Sequence, residues 1–202
     1  LNWDRVLKIG LYLAKETEYA PFLAFRQTIR DFITMFSATS SNAVDKDNWD
    51  LVKRYLQKVI GPIYDKVGWK NSSDWTQRML ASLATEYACK LSYSDCRQKA
   101  STSFIDFKTN CEMSRSGTGL CNSMVPDLRR TQYCWGVHEN PESMDVVEKL
   151  YRWFVDNSRY FHRDTENLLE AQACTTDATQ LKEYVCWYYC SCYANRSDPF
   201  VD

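Results

Sequence analysis

Histidine is scarce in this chain: His138 and His162 are the only two among 202 residues. His138-Glu139 begins like a His-Glu-x-x-His zinc helix, but the fifth position is Glu142 and Pro141 intervenes, so no metal site is expected in this chain. Net charge is nearly absent too, with Lys and Arg at 25 against Asp and Glu at 26. A formal charge of −1 supplies no long-range field to gather nucleic acid or an anionic membrane, and neither partner is expected. Glycine and proline are few, at 6 and 5, while aromatics reach 14%, which excludes a disordered or loop-rich chain and favours long ordered elements. No apolar run is long enough to span a bilayer and no signal peptide is present. The chain opens at Leu1 directly in an amphipathic pattern, so we expect an excised piece of a larger protein, with residues 1–202 forming one domain.

Against these shortages stand nine cysteines, more than reducing compartments usually tolerate outside metal sites. Structural zinc wants closely paired ligands, whereas here the cysteines fall as Cys89-x6-Cys96, Cys111-x9-Cys121, Cys134 and Cys174, and the terminal group Cys186, Cys190 and Cys192. None of these spacings fits. The sequons Asn71-Ser-Ser73 and Asn195-Arg-Ser197 point the same way, towards a glycosylated protein of the extracellular space or the secretory lumen.

Apolar residues recur at helical spacing along almost the whole length. Trp3, Val6, Leu7, Gly10 and Leu11 form the first stripe, and Phe22, Phe25, Ile29, Phe32, Ile33 and Phe36 the second. After the polar run Ser37–Asn42, a third helix starts near Asp45 or Asp47 and carries Val52, Tyr55, Leu56, Val59 and Ile63. Pro62 is expected to kink or break it and Gly68 to end it. Asp74 opens a fourth helix with Met79, Leu80, Leu83 and Tyr87, and a fifth runs from about Asp95 to Asn110. Pro126 to Gly136 reads as a helix start. Asn140-Pro141 caps a helix bearing Val147, Leu150, Tyr151 and Phe154, Asp164 caps the next, and Asp177 the last, with Leu181, Tyr184, Val185 and Tyr188. The expectation is all-α: antiparallel helix pairs stacked as a HEAT-like α-solenoid, stapled by disulfides.

Candidate chemistry is thin. Gly117-Thr-Gly119 lacks the preceding strand and the Lys-Ser/Thr of a phosphate cradle. Cys89 and Cys96 enclose a turn, and a bridge there would be worth about 2–3 kcal/mol; a loop closed by Cys134 and Cys174 would be worth about 4 kcal/mol. Cys111 to Cys121 has the small-residue content of a loop pinned at its base, but one of Cys186, Cys190 and Cys192 is expected to pair with Cys111 or Cys121, or with a segment outside this sequence. Arg129-Arg130 could clamp a peptide carboxylate bidentately, or form an ordinary solvated or salt-bridged helix surface.

Taken in order, Leu11-Tyr-Leu-Ala-Lys-Glu-Thr-Glu-Tyr-Ala-Pro21, Pro62-Ile-Tyr-Asp-Lys-Val-Gly-Trp69, Cys89-x6-Cys96, Pro126-Asp-Leu-Arg-Arg-Thr-Gln-Tyr-Cys134 and Leu169-Glu-Ala-Gln-Ala-Cys174 resemble the C-terminal helical domain of aminopeptidase N-type zinc aminopeptidases. The pairs Cys89/Cys96 and Cys134/Cys174 resemble that family's two disulfides in this domain. Cys111, Cys121 and the last three cysteines look like additions, and Asn195-Arg-Ser-Asp198 only loosely resembles the family's Arg-x-Gln-Asp element.

The resemblance implies a parent ectoenzyme, membrane-anchored, that removes N-terminal residues from peptides with zinc held in an upstream catalytic domain. This segment would be a non-catalytic lobe closing over that active site and limiting peptide access. Its partners would be the catalytic domain of the same chain, the peptide substrate and, in an assembled enzyme, a second copy as a homodimer. Two other classes compete: a stand-alone secreted helical-repeat module that binds proteins or peptides, and a disulfide-stabilised cysteine enzyme.

Overall fold

A computed structural model of the chain describes residues 3–37, 43–114, 121–157 and 162–194. Every regular element among these residues is helical, in keeping with the all-α expectation. The chain divides into two compact units, residues 1–96 and 97–202.

The first unit contains α1 (Trp3–Gly10), a 3₁₀ turn at Leu11–Lys15, α2 (Tyr19–Ser37), α3 (Ala43–Val67) and α4 (Trp75–Lys90). Its core is made by three stripes. Phe22, Ile29 and Ile33 come from α2, Leu56, Val59, Ile60 and Ile63 from α3, and Leu80, Leu83, Ala84 and Ala88 from α4, all buried. The small alanines on α4 let its neighbours approach. Asp74 caps α4 by accepting from the Gln77 amide at 3.0 Å.

Pro62 does not break α3, which runs unbroken through it. Both Pro62 and Lys58, whose carbonyl loses its helical donor, lie on the exposed face, where water can replace the missing amide. Beside it, Gly61 is buried, and a Cβ there would stand 2.7 Å from the Tyr93 hydroxyl. That close approach lets Tyr93 donate to the Gln57 carbonyl at 3.0 Å. Gln57 donates to the Leu91 carbonyl at 3.1 Å and Tyr64 to Asp95 at 2.8 Å, so the turn after α4 is tied onto α3 by three hydrogen bonds.

The helix α5 (Ser94–Ser114) is longer than the sequence pattern indicated and carries Cys111 within its last turn. The second unit continues with a 3₁₀ turn at Pro126–Leu128, α6 (Arg129–Glu139), a 3₁₀ turn at Pro141–Ser143, α7 (Met144–Asn157), α8 (His162–Gln172) and α9 (Ala178–Ala194). Phe104 and Phe107 of α5, Tyr133 and Val137 of α6, Val147 and Phe154 of α7, and Leu168 of α8 interlock as one core.

Three capping expectations are corrected. The helix α3 starts at Ala43, so Asp45 and Asp47 lie inside it rather than before it. Asn140 makes no side-chain cap on the turn that follows; its amide reaches back to the Gly136 carbonyl at 2.8 Å, closing α6, and to Ser101 Oγ at 2.9 Å. Asp164 lies inside the first turn of α8 rather than before it. Its carboxylate is occupied by an arginine instead. Asp177 does cap α9, accepting from the amides of Thr179 at 2.7 Å and Gln180 at 3.2 Å. The 38–42 loop, Gly117-Thr-Gly119, the side chains of His162, Cys190 and Cys192, and the Asn195 sequon lie outside the described residues.

Candidate functional site

Three disulfides fix the short-range geometry. Cys89 joins Cys96 across the turn between α4 and α5, Cys111 joins Cys121, and Cys134 joins Cys174 across 40 residues of sequence. The Cys111–Cys121 bond overturns the expectation that either half pairs with the terminal cysteine group. A half-cystine at the end of α5 needs only a short loop to meet its partner. Cys186 is exposed on α9.

The Cys134–Cys174 bond holds α6 against the end of α8, and the paired arginines at the start of α6 divide between two jobs. Arg129 is buried and turned inward. Its guanidinium donates to the Asp164 carboxylate, to the Met124 carbonyl at 2.9 Å and to the Asn122 carbonyl at 3.3 Å. Arg130 stays half exposed and pairs with Glu170 of α8 at 2.7 Å. The first arginine therefore locks the loop before α6, and the second faces solvent. Burial pushes the Asp164 carboxyl above its ordinary range, with the Arg129 charge pulling the other way.

Around this ion pair lies a polar network. Asn122 Nδ2 donates to Tyr133 Oη at 2.7 Å and to Gln132 Oε1 at 3.1 Å, while Asn122 Oδ1 accepts from the Met124 amide at 2.9 Å. Gln132 in turn donates to the Ser103 carbonyl at 2.7 Å. Burial raises the Tyr133 phenol far above its ordinary value, so it stays neutral and serves as a fixed hydrogen-bonding post. Asn122, Gln132 and Tyr133 escaped the sequence reading, where only the helix-start position of the last two gave any signal.

His138 and Glu139 are neighbours that bond each other, Nδ1 to Oε1 at 3.2 Å, and the imidazole packs on Trp135 with ring centroids 4.7 Å apart. Arg97 covers the same indole at 4.4 Å and reaches Glu139 at 3.5 Å. Among the described residues no group of three or more His, Cys, Asp or Glu side chains is placed to hold a metal ion.

A cleft of about 350 Å³ lies between α7, α8 and α9, lined by Asp145, Glu148, Gln172, Gln180, Glu183 and Tyr184. In it Asp145 and Glu148 pair with Lys149 and Arg152 at 3.5 and 2.5 Å, and Gln180 is bound to Thr175 at 2.8 Å. No helix among the described residues is long and apolar enough to cross a membrane.

The chain is similar to known proteins along nearly its whole length. The family described as the ERAP1-like C-terminal domain matches residues 1–194. The chain is 30% identical over 177 residues to "Putative aminopeptidase-2" of Caenorhabditis elegans, covering 86% of this chain and 9% of that protein. It is 26% identical over 187 residues to glutamyl aminopeptidase of Bos taurus, and 25% identical over 187 residues to aminopeptidase N of Canis lupus familiaris. Those matches cover 92% and 89% of this chain but 17% of each relative, so the chain spans about a sixth of their length or less. With the match running through both units, this chain belongs to the ERAP1-like C-terminal domain family.

Proposed function

We propose that this chain is the non-catalytic C-terminal lobe of a zinc aminopeptidase that releases N-terminal residues from peptides, and that the lobe caps the active site and limits which peptides reach it. The observation that carries the reading is the family match over residues 1–194, joined to relatives named as aminopeptidases of which such a segment is only a small share. The chemistry of the described residues supports a wall rather than a reaction centre, because His138 and Arg129 are spent on Glu139 and Asp164.

In this reading the whole chain acts as one lobe, its helix pairs stacking as a HEAT-like α-solenoid. Its partners are the catalytic domain of the same parent chain and the distal part of the peptide, with a second copy in a homodimeric parent. Zinc belongs to the catalytic domain. The three disulfides support an extracellular or lumenal setting for a membrane-anchored ectodomain. Arg130, exposed and charged, is the residue we assign to peptide contact, since Arg129 is committed to Asp164.

The test is kinetic. In the full-length protein, Arg130→Ala should raise KM for long peptides several-fold and leave hydrolysis of a single aminoacyl reporter unchanged. Metal-dependent turnover by this chain alone would overturn the assignment. So would a parent sequence without His-Glu-x-x-His, which would leave a stand-alone binding module.

A further inference from the structure

The turn between α3 and α4 combines exposure, rigidity and a modification signal in a way the helical lobe itself does not require. The chain leaves α3 at Val67, turns through Trp69 at a φ of 32°, and re-enters helix at Trp75. Asn71-Ser-Ser73 occupies the middle of this turn, with both Asn71 and Ser73 exposed.

The residues that hold the turn are not the ones a glycan would use. Ser72 Oγ accepts from the Asp74 amide at 3.1 Å, and the Ser72 and Ser73 carbonyls both accept from Arg78 at 3.2 Å. Asp74 takes Thr76 Oγ1 at 2.6 Å and the Gln77 amide at 3.0 Å. Upstream, Lys70 Nζ reaches back to the Lys66 carbonyl at 2.5 Å, satisfying the end of α3. None of these bonds involves the Asn71 amide or the Ser73 hydroxyl, so an adduct on Asn71 displaces no contact that shapes the turn.

We propose that Asn71 is an N-glycosylation site of this protein. The inference rests on the secretory location proposed above. The reaction joins the Asn71 side-chain nitrogen to C1 of the first sugar of a lipid-pyrophosphate-linked oligosaccharide. The new N–C bond replaces the C–O bond to pyrophosphate, the lipid pyrophosphate leaves, and the amide nitrogen gives up one proton to a base of the transferase. Ser73 supplies the hydroxyl that the acceptor sequence requires two residues on. A glycan here adds polar bulk to a surface that also exposes Trp75, a residue 59% exposed whose ring packs edge-on against Tyr19 with centroids 6.4 Å apart.

The test uses the protein secreted from cultured eukaryotic cells, with Asn195→Gln present so that only one sequon remains. Peptide-N-glycosidase in heavy-oxygen water, followed by mass spectrometry, should mark Asn71 as the modified residue. Ser73→Thr should keep the modification, while Ser73→Ala, which leaves the acceptor amide in place, should abolish it. An unmodified Asn71 in the secreted protein overturns the proposal. Expressing the full-length protein with its own N-terminal sequence in the same cells separates the causes: an unmodified Asn71 in protein that reaches the cell surface or the medium means that the site alone is refuted, and a protein retained in the cytosol means that the secretory setting fails with it.

Discussion

Gly136 of α6 lies against Phe104 of α5 so closely that a Cβ on the glycine would stand 2.4 Å from Phe104 Cβ and 2.3 Å from its Cγ. Neither atom can swing away, because they are the root of a fully buried side chain. The contact makes Gly136 a point of close approach between the two helices.

Helix propensity alone favours Gly136→Ala by about 1 kcal/mol. The structure predicts the opposite. Overpacking at a buried contact typically costs about 1–3 kcal/mol, and this one must shift a helix, so the net effect is a loss of about 1–2 kcal/mol read by denaturant midpoint. A stabilised variant would show that α5 and α6 are free to separate.

The end of α4 carries the reverse case. Ser92 adopts a φ of 66°, the Ser92 amide donates to the Cys89 carbonyl at 3.0 Å, and the Tyr93 amide donates to the Ala88 carbonyl at 3.1 Å. That hydrogen-bond pattern is the helix stop usually supplied with glycine. Ser92→Gly is expected to stabilise by about 0.5–1 kcal/mol, measured as a small rise in Tm.

Asp164 gives a pH dependence with a definite sign. Its folded carboxyl titrates above the ordinary value of 3.8, chiefly through burial and despite Arg129. The folded state therefore holds this proton more tightly than the unfolded chain does. Its contribution is fully present below 3.8 and is lost as pH rises through the higher folded value. Asp164→Asn should remove that slope from a stability–pH curve, and at neutral pH it should cost about 3–5 kcal/mol because the buried Arg129 loses its counter-charge. An unchanged slope would assign the titration to another group.

Deleting the disulfides in pairs should rank by loop length. Cys134→Ser with Cys174→Ser is expected to cost about 4 kcal/mol, against about 2 kcal/mol for Cys89→Ser with Cys96→Ser. Thermal unfolding of the two double variants compares them directly. The short bridge also has the Gln57, Tyr64 and Tyr93 hydrogen bonds holding its turn in place, which narrows its effect further.

The helices were legible in the sequence because their apolar residues keep the period of a packed face. Val147, Leu150 and Phe154 were read as one stripe and are buried together, and Leu56, Val59 and Ile63 behave likewise. The family resemblance was legible because its five segments, with their prolines and cysteines, follow one another in order along the chain. Arg129 was not legible as a buried group. An arginine on a helix is ordinarily a surface residue, and what turns this one inward is Asp164, 35 residues away, together with two backbone carbonyls of the preceding loop. Of the kink or break expected at Pro62, the break does not occur; the cost of a helix-interior proline depends also on whether its face is wet, which one helix read alone does not show.

The spacing of the bridges also sets an order of events during synthesis. Cys89 and Cys96 are 7 residues apart, and Cys111 and Cys121 are 10 apart, so each pair meets by closing a short loop as soon as its own turn has emerged. Cys134 must wait 40 residues for Cys174, and its chance partners during that wait are the earlier cysteines. Early closure of the two short bridges withdraws those partners and leaves α6 one correct thiol to meet when α8 arrives.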